Sequence, residues 1–574
     1  MLHKKIYYIL VLQFVVCMCG AMQLRAADVR EIAFLQTDRS FYIAGESAFY
    51  KLYVLDSSTK KRSNTSKIGY ILMRSSNSNI VLKIRVSLNL GIASGSIILP
   101  DTLSSGLYQI VAFTNGMKNF AEKDYFNKEI IIANRFDKDL NFKIRNLTTN
   151  IFPTSQSTDT LSGLKTDKQV YGSREKVIVS LEKTKVKANV SVSVYEMPPI
   201  QISDKTFVET LKGLSDTSNE KPGNNYLPET RSKIIRGRII DDTNKKPINS
   251  ATILLSCPDS IANLQYSITK SDGTFEMLLN NYYDGKDLFF TIKDKPANQL
   301  WKIEIEDKFL LSEKWNPALT FENTQLKAFI AKSKNIVYIN KSYHLNNADN
   351  VSISSMSKTI CPQLYNCSVR SVFPSDFVSL KDFPEIVVEL LPLVRMYKRN
   401  NKYIARVINT SISSPFHQDP AIFLDGVFLD DINKIIGLES DMISKIVVFG
   451  AERVFGDLVF QGVISITTKS NEILKTKPAY HSLRIKNDNI NESSNSVNVT
   501  PNAILNNNTP FIKQLLYWNP NLVIDEACNS NFEFYTSDNK GNFVIKIEGI
   551  DENGSPISQS AYIQVNNNLK STQK

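Results

Sequence analysis

The sequence predicts a mainly β protein: tandem β-sandwich domains, with one small α+β domain in the second half. Three observations predict this. Runs of four to eight residues alternate apolar and polar with a period of two, as in "KIGYILMRS", "IVLKIRVSL" and "GLYQIVAFTN", and Gly, Ser, Asn and Asp separate them. That is the pattern of antiparallel strands with one buried face. A turn motif then returns: "LQTDRSFYIAGESAFYKLY" (35–53) aligns with "LKTDKQVYGSREKVIVSLE" (164–182), each with Thr-Asp-basic, an aromatic, a Gly-containing turn and a strand. Finally, the alternation breaks at 421–469, "AIFLDGVFLDDINKIIGLESDMISKIVVFGAERVFGDLVFQGVISITTK", where short apolar strands are interleaved with turn and helix-cap residues.

At 574 residues the chain has room for about three to five domains. Its start reads as an export signal. Lys4-Lys5 precede the apolar run Ile6 to Met22, and Ala26-Ala27 follow, so residues 1–27 fit a secretory signal peptide cut near Ala27. Lipid attachment at Cys19, before Gly20, and a retained anchor are the alternatives, although the run is short for a spanning helix. Removing Lys4, Lys5 and Arg25 brings the formal charge from +11 to +8. The remaining Lys and Arg are interleaved with Asp and Glu. That describes solvated faces and speaks against a nucleic-acid partner, which needs clustering. No later segment is apolar for long enough to span a bilayer as a helix, so no transmembrane segment is expected in the mature chain. Of the four later cysteines, Cys361 and Cys367 are close enough to close a small disulfide loop, which export permits, and Cys257 and Cys528 read as buried thiols.

The first sandwich is expected over 28–135, where "LPDTLSSGLYQIVAF" sets a polar turn before an alternating strand. A second unit is expected over 160–202, or through 230, with "ANVSVSVYE" as a further strand; the repeated turn makes two similar sandwiches in tandem the simplest account. These two stretches resemble the macroglobulin-type domains of alpha-2-macroglobulin-like proteins, which implies β-sandwich spacers. The covalent members carry a Gly-Cys-Gly-Glu-Gln thioester; no such string occurs here, and no cysteine lies in either stretch.

A third β unit is expected over 233–318. A strand from Ile234 to Ile240 leads into Asp241-Asp242-Thr243-Asn244, Pro247 enters the next strand, and Ser271-Asp272-Gly273 turns before Phe275. It resembles the carboxypeptidase regulatory-like domain, a small sandwich whose name implies no peptidase. Residues 319–379 hold a helix within 323–345, on the spacing of Leu326, Phe329 and Ile330, and a connecting segment. Asp382 before "FPEIVVELLPL", with Pro384 in the first turn, is a helix N-cap signal, and "KYIARVIN" reads as a strand.

In 421–469 the expected elements are a strand Ala421 to Leu424, a turn Asp425-Gly426, and a helix from Asp430 or Asp431 to Gly437. A helix entry at Ser440-Asp441 and strands Lys445 to Phe449 and Gly462 to Thr468 follow. With Phe455-Gly456 and the exit Gly462-Val463-Ile464-Ser465-Ile466-Thr467-Thr468-Lys469, residues 380–470 closely resemble the plug domain of TonB-dependent outer-membrane receptors, without a TonB-box segment near the mature N-terminus. After Lys469 only 105 residues follow, fewer than a 22-stranded barrel needs at about ten residues per strand. They are expected to form an Asn/Ser/Lys-rich linker (471–508) and a C-terminal macroglobulin-like sandwich (509–567), with turns at Asp538–Gly541 and Asn553-Gly554.

The residues an enzyme needs are sparse. His344, His417 and His481 stand in no His-Glu-x-x-His frame, and there is no Gly-x-Ser-x-Gly elbow, phosphate-binding loop or dinucleotide fingerprint. His417 beside Asp419 and near Asp425 is the one His/acid cluster, and reads as a polar loop. Asp425-Gly426 and Asp430-Asp431 invite calcium, but they lack the alternating oxygens and closing Glu of a loop site, so turn and cap roles are expected. Tyr42, Tyr50, Tyr53, Tyr282, Tyr283, Trp301, Trp315, Tyr517 and Trp518 could form a binding platform, but in sandwiches such residues are more often core. No catalytic, cofactor-binding or metal-binding residue, and no cofactor, is therefore assigned. The reading is an exported, non-enzymatic interaction or scaffold protein, periplasmic, outer-membrane associated or on the cell surface, with cell-envelope proteins as partners. The alternative is an accessory component of TonB-linked nutrient uptake beside a separate barrel receptor. Oligomeric state is left open.

Overall fold

The computed structural model describes residues 30–137, 163–181, 186–201, 205–213, 226–293, 299–315, 324–343, 370–487, 509–525 and 531–566, with 148–149, 295–296, 317, 364 and 497–498. The expected signal peptide, Cys361, Cys367, Cys528 and His344 lie outside the described residues. The strands begin with β1 Glu31–Thr37, β2 Phe41–Ile43, β3 Ser47–Asp56, β4 Ile68–Ser75, β5 Ile80–Ser87, β6 Ile92–Ile98, β7 Gly106–Thr114 and β8 Phe126–Ala133. Next come β9 Leu164–Thr166, β10 Val170–Tyr171, β11 Lys176–Leu181, β12 Ala188–Glu196 and helix α1 Phe207–Gly213. The third group is β13 Lys233–Asp241, β14 Thr252–Ser256, β15 Gln265–Ile268, β16 Thr274–Leu279, β17 Leu288–Ile292 and β18 Trp301–Ile305, before helix α2 Thr324–Ser342. The fourth is β19 Arg370–Val372, α3 Phe383–Leu390, β20 Val394–Arg399, β21 Lys402–Asn409, β22 Ser414–Pro415, β23 Ala421–Leu424, β24 Val427–Leu429, β25 Ile443–Phe455, β26 Leu458–Thr468 and β27 Ser482–Ile485. The chain closes with β28 Leu515–Ile524, β29 Asn531–Tyr535, β30 Gly541–Asp551 and β31 Pro556–Val565. The fold is mainly β, as the alternation predicts.

The chain divides into two units, one of residues up to Thr230, Phe309–Ser354 and Asn491 onward, the other of Arg231–Lys308 and Ser355–Ile490. In the first unit, sheets β1-β3-β6 and β2-β8-β7-β4-β5 make one sandwich. The second holds sheets β9-β11-β29 and β10-β31-β30-β12-β28, the latter extended by the two residues Val497–Asn498. Residues 160–202 and 509–567, expected as separate sandwiches, therefore share both sheets. The reason is visible in β11, whose alternate residues Val177, Val179 and Leu181 are buried while Lys176, Ile178 and Ser180 are exposed. That face is covered by Phe532, Phe534, Ile545 and Ile547 from the far end of the chain, a pairing that local periodicity does not record.

The repeated turn motif has one geometry in both copies. Tyr42 Oη donates to Asp38 Oδ1 at 2.7 Å, and Tyr171 Oη to Asp167 Oδ1 at 2.8 Å. The same carboxylate oxygen accepts from the backbone N–H eleven residues on, Phe49 at 2.8 Å and Ile178 at 2.9 Å. The residue after the tyrosine donates its N–H to the glutamate that closes the turn, Ile43 to Glu46 at 2.7 Å and Gly172 to Glu175 at 2.6 Å. Each Thr Oγ1 donates to the basic residue's carbonyl at 2.7 Å. The motif thus ties a short loop to the start of the strand it precedes. Burial distinguishes the copies: Asp38 is fully buried and Asp167 is exposed.

Helix α1 packs the Phe207 ring flat on Phe34 with centroids 4.2 Å apart, a contact of about 0.5–1.5 kcal/mol beyond area burial. Nearby, Lys51 is fully buried and donates to Asn189 Oδ1 and the Pro520 carbonyl; burial drives its ammonium well below the usual lysine range.

In the second unit, sheets β16-β13-β18 and β15-β14-β17-β27 form a sandwich. Strand β27 comes from the expected linker 471–508: "SLRI" pairs antiparallel with β17, and Asn487 accepts from Lys233 Nζ. Beside this sandwich, β19-β25-β26-β23-β24 is a mixed sheet, with β23 parallel to β26 and the rest antiparallel, and β20-β21-β22 is a second small sheet. The mixed sheet begins at Arg370, ahead of the expected boundary at 380. Strand β23 is buried on both faces, which accounts for the unbroken apolar run Ala421 to Leu424. One face packs on α3 and the β20–β21 hairpin through Ile422, Leu424, Ile464 and Ile466 with Ile386, Val387, Ala405 and Val407. The other packs Ala421, Phe423, Phe460 and Val463 on Leu254, Ala262 and Leu264 of the adjacent sandwich. Helix α3 has Asp382 as N-cap, its carboxylate accepting from Glu385 N–H at 3.0 Å, and Pro384 in the first turn.

Candidate functional site

The Asp-rich turns of 421–469 resolve into two places. Asp425 is fully buried and left-handed, at φ +48. Its Oδ1 accepts from Thr468 N–H at 2.6 Å and Thr468 Oγ1 at 2.9 Å, and its Oδ2 from Thr468 Oγ1 at 2.8 Å and Ile473 N–H at 3.2 Å. The carboxylate is a clamp between the β23–β24 turn and the exit of β26. The turn itself docks on the neighbouring sandwich, since the Asp425 carbonyl accepts from Asp259 N–H at 2.8 Å. Gly426 has φ +81, and an added Cβ would lie 2.8 Å from both the N and the O of Asp259 and 2.9 Å from the Ile261 carbonyl. Gly426→Ala is therefore expected to destabilise this unit by about 2–4 kcal/mol, read from urea unfolding, because both the φ and the backbone contact oppose a side chain.

Asp430 and Asp431 stand instead at the rim of a cleft of about 570 Å³, bounded by β21, the 418–422 segment, β24 and the turn after it, and Ile292-Lys293. That is within the usual volume range of ligand pockets. Its buried floor is apolar, with Ala421, Ile422, Leu429, Ile432 and Phe460. The three acids at the rim are each already bonded. Asp430 takes His481 Nε2 at 2.6 Å and an ion pair from Lys434. Burial pushes the Asp430 carboxyl up, but the His481 and Lys434 hydrogen bonds and the Lys434 charge outweigh it and hold it well below the usual carboxylate range. Asp431 caps a single 3-10 turn, Ile432–Ile435, accepting from Asn433 N–H at 2.9 Å. This turn stands where a helix to Gly437 is expected; Asn433 is diverted to the backbone of Tyr403, donating to its carbonyl at 3.0 Å and accepting from its N–H at 2.9 Å. Asp419 pairs with Arg406.

His417, Asp419 and Asp425, read from the sequence as a polar loop, do not converge. His417 and Asp419 are exposed while Asp425 is buried on Thr468 and Ile473. Sequence reasoning missed the His481–Asp430 contact, which joins positions 51 residues apart, and missed β20, whose turn "NN" at Asn400-Asn401 was the available signal. The aromatics are mostly core: Tyr42, Tyr50, Tyr53, Tyr283 and Trp518 are fully buried, Tyr282 and Tyr517 nearly so, and Trp301 and Trp315 partly exposed. Cys257 is fully buried. Among the described residues no helix is long and apolar enough to cross a membrane.

No family model matches the chain, and no curated protein matches it. Among solved structures, trypsin-activated alpha-2-macroglobulin from Escherichia coli is similar at 8% identity and a TM-score of 0.24, over 94% of this chain and 42% of that one. The native conformation of the same Escherichia coli protein gives 8% and 0.23, over 94% and 40%. A β-glucosidase from Listeria innocua in complex with gluconolactone gives 14% and 0.13, over 18% and 16%. The chain spans less than half the length of each of these. At such TM-scores the likeness carries no argument about this protein.

Proposed function

We propose that this chain is an exported, non-enzymatic interaction protein of the cell envelope, in which residues 370–469 with their supporting sandwich are a docking module and the remaining sandwiches are rigid spacers. The observation that carries this reading is the cleft: a buried apolar floor under a rim where Asp430 is bonded to His481 and Lys434, Asp419 to Arg406, and Asp431 to Asn433. Such a site offers surface and shape. It offers no nucleophile held by a base, the arrangement that covalent catalysis requires. The resemblance of 380–470 to receptor plugs, and of residues 1–27 to a signal peptide, supports an envelope partner. Protein cross-linked in intact envelopes is expected to recover at least one envelope protein above background. Val459→Trp, at a half-exposed position lining the cleft, is expected to reduce that recovery at least fivefold while leaving the unfolding free energy within about 0.5 kcal/mol of wild type. Recovery of no envelope protein, or full recovery by V459W, would count against the reading.

A further inference from the structure

The β20–β21 hairpin has two unlike faces. Residues at even positions of β20 and odd positions of β21 face the core: Val394, Ala405 and Val407 are buried, with Met396 and Tyr403 packed against them. The opposite face holds Arg395, Tyr397 and Arg399 on β20, and Lys402, Ile404 and Arg406 on β21. The register sets Arg395 directly across from Arg406 and Arg399 directly across from Lys402. Like charges opposite each other destabilise a strand pair, so the Arg399–Lys402 pair works against the fold. Residues 394–407 contain no acid. Arg406 is neutralised by Asp419, but Arg395, Arg399 and Lys402 are exposed and have no carboxylate partner among the described residues.

The second observation concerns the backbone. Among the described residues no strand pairs with the outer edge of β20, which ends its sheet. Asn433 binds both backbone groups of Tyr403 on the far side of β21, so Tyr403 and its partner Lys398 are a non-hydrogen-bonded pair. By the alternation of an antiparallel ladder, Met396 and Lys398 then turn their N–H and C=O groups outward along the open edge. Cations on an edge strand also serve to discourage edge-to-edge aggregation. That role calls for charge on the edge strand alone, whereas here Lys402 of the inner strand adds to it.

We infer that the open edge of β20 takes an extended acidic strand from a partner protein by strand addition. Side chains of the added strand on the basic face would lie beside Arg395, Tyr397 and Arg399, which fixes the partner pattern as acidic-x-apolar-x-acidic over roughly 13 Å. The carboxylates would neutralise Arg395 and relieve the Arg399–Lys402 pair, and the outward amides would hold the strand in register. This deepens the docking reading and rests on it.

The test uses the full chain and a fluorescent, capped nonapeptide with Glu at positions 3 and 7, Val at 5 and Thr elsewhere. Saturable binding is expected. It should weaken at least tenfold when the second Glu is moved from 7 to 6, onto the other face, and at least tenfold in the double variant Arg395→Glu/Arg399→Glu, whose fold is checked by circular dichroism. N-methylating one alternate set of peptide amides should abolish binding, and the other set should leave it within threefold. Equal binding by both Glu spacings, absence of saturable binding, or indifference to which amides are methylated overturns the proposal. So does co-sedimentation with phosphatidylserine vesicles that the double variant loses, which would make a membrane surface the occupant. Envelope cross-linking that fails in V459W yet persists in the double variant would keep the docking reading and reject this one.

Discussion

Asp425→Ala is expected to lower the unfolding free energy of the second unit by about 3–5 kcal/mol, and Asp425→Asn by about 1–2 kcal/mol, in urea unfolding followed by circular dichroism. The alanine leaves three buried donors without an acceptor: the Thr468 N–H, the Thr468 hydroxyl and the Ile473 N–H. Each such orphan costs about 1–3 kcal/mol. It also places alanine at φ +48, which asparagine and aspartate tolerate better. Asparagine keeps Oδ1 for the Thr468 N–H, and its amide can donate to the Thr468 hydroxyl. What it loses is the acceptor for Ile473, which then faces another donor. A D425A protein as stable as wild type would mean that water or a shifted backbone replaces all three bonds, and the clamp would cease to explain how the turn is held to the end of β26.

That carboxylate also shows where the sequence was legible. "DG" after an apolar strand announces a turn, and the strand Ala421–Leu424 and the Asp382 cap follow from local chemistry alone. What the turn is tied to does not follow, because Thr468 and Ile473 are 43 and 48 residues away. The same limit accounts for the other differences. Strands β11 and β29 pair across more than 350 residues, so each half read by itself as the remnant of its own sandwich. The four residues of β27 are too short to stand out from a polar stretch until their partner β17 is known. The rim of the cleft was visible as a list of acids, and the i,i+4 pair of Asp430 with Lys434 is local, but the rest of its chemistry depends on His481 and Arg406 arriving from other segments.

The unbroken apolar character of β23 is more instructive, because it demands cover on two sides. Helix α3 and the hairpin cover one face, and the residues 254–264 sandwich covers the other. The mixed sheet thus finds its second wall in the domain that precedes it. Its turn is held there by the Asp259 N–H, which donates to the Asp425 carbonyl, and the backbone comes too close at Gly426 for a side chain. This packing leaves the cleft and the hairpin's basic face uncovered.

Asp38→Asn is expected to become more stable relative to wild type as pH rises from 4 to 7, by on the order of 3 kcal/mol. Burial pushes the Asp38 carboxyl up to about 6 from 3.8, although the Arg39 charge and the hydrogen bonds from Tyr42 and Phe49 pull the other way. Arg39 is a weak counter-charge, because its Nε lies 3.6 Å from Asp38 Oδ2 while its NH2 group sits 3.1 Å from Glu46 Oε1. A carboxyl whose folded pKa lies above its unfolded one adds stability that is fully present below pH 3.8. That contribution is lost as pH rises through 6, where wild type must bury a charge. Asparagine keeps the oxygen that accepts from Phe49 N–H and Tyr42 Oη and never ionises, so the difference between the proteins grows across that window. The matching change at Asp167 keeps the same bonds at an exposed site and is expected to move stability by less than about 1 kcal/mol at pH 7. Unfolding free energies of the three proteins at pH 4, 5, 6 and 7 decide it. A constant gap between wild type and D38N would mean that Asp38 holds one protonation state throughout, and that its turn differs from the Asp167 turn in solvent exposure alone.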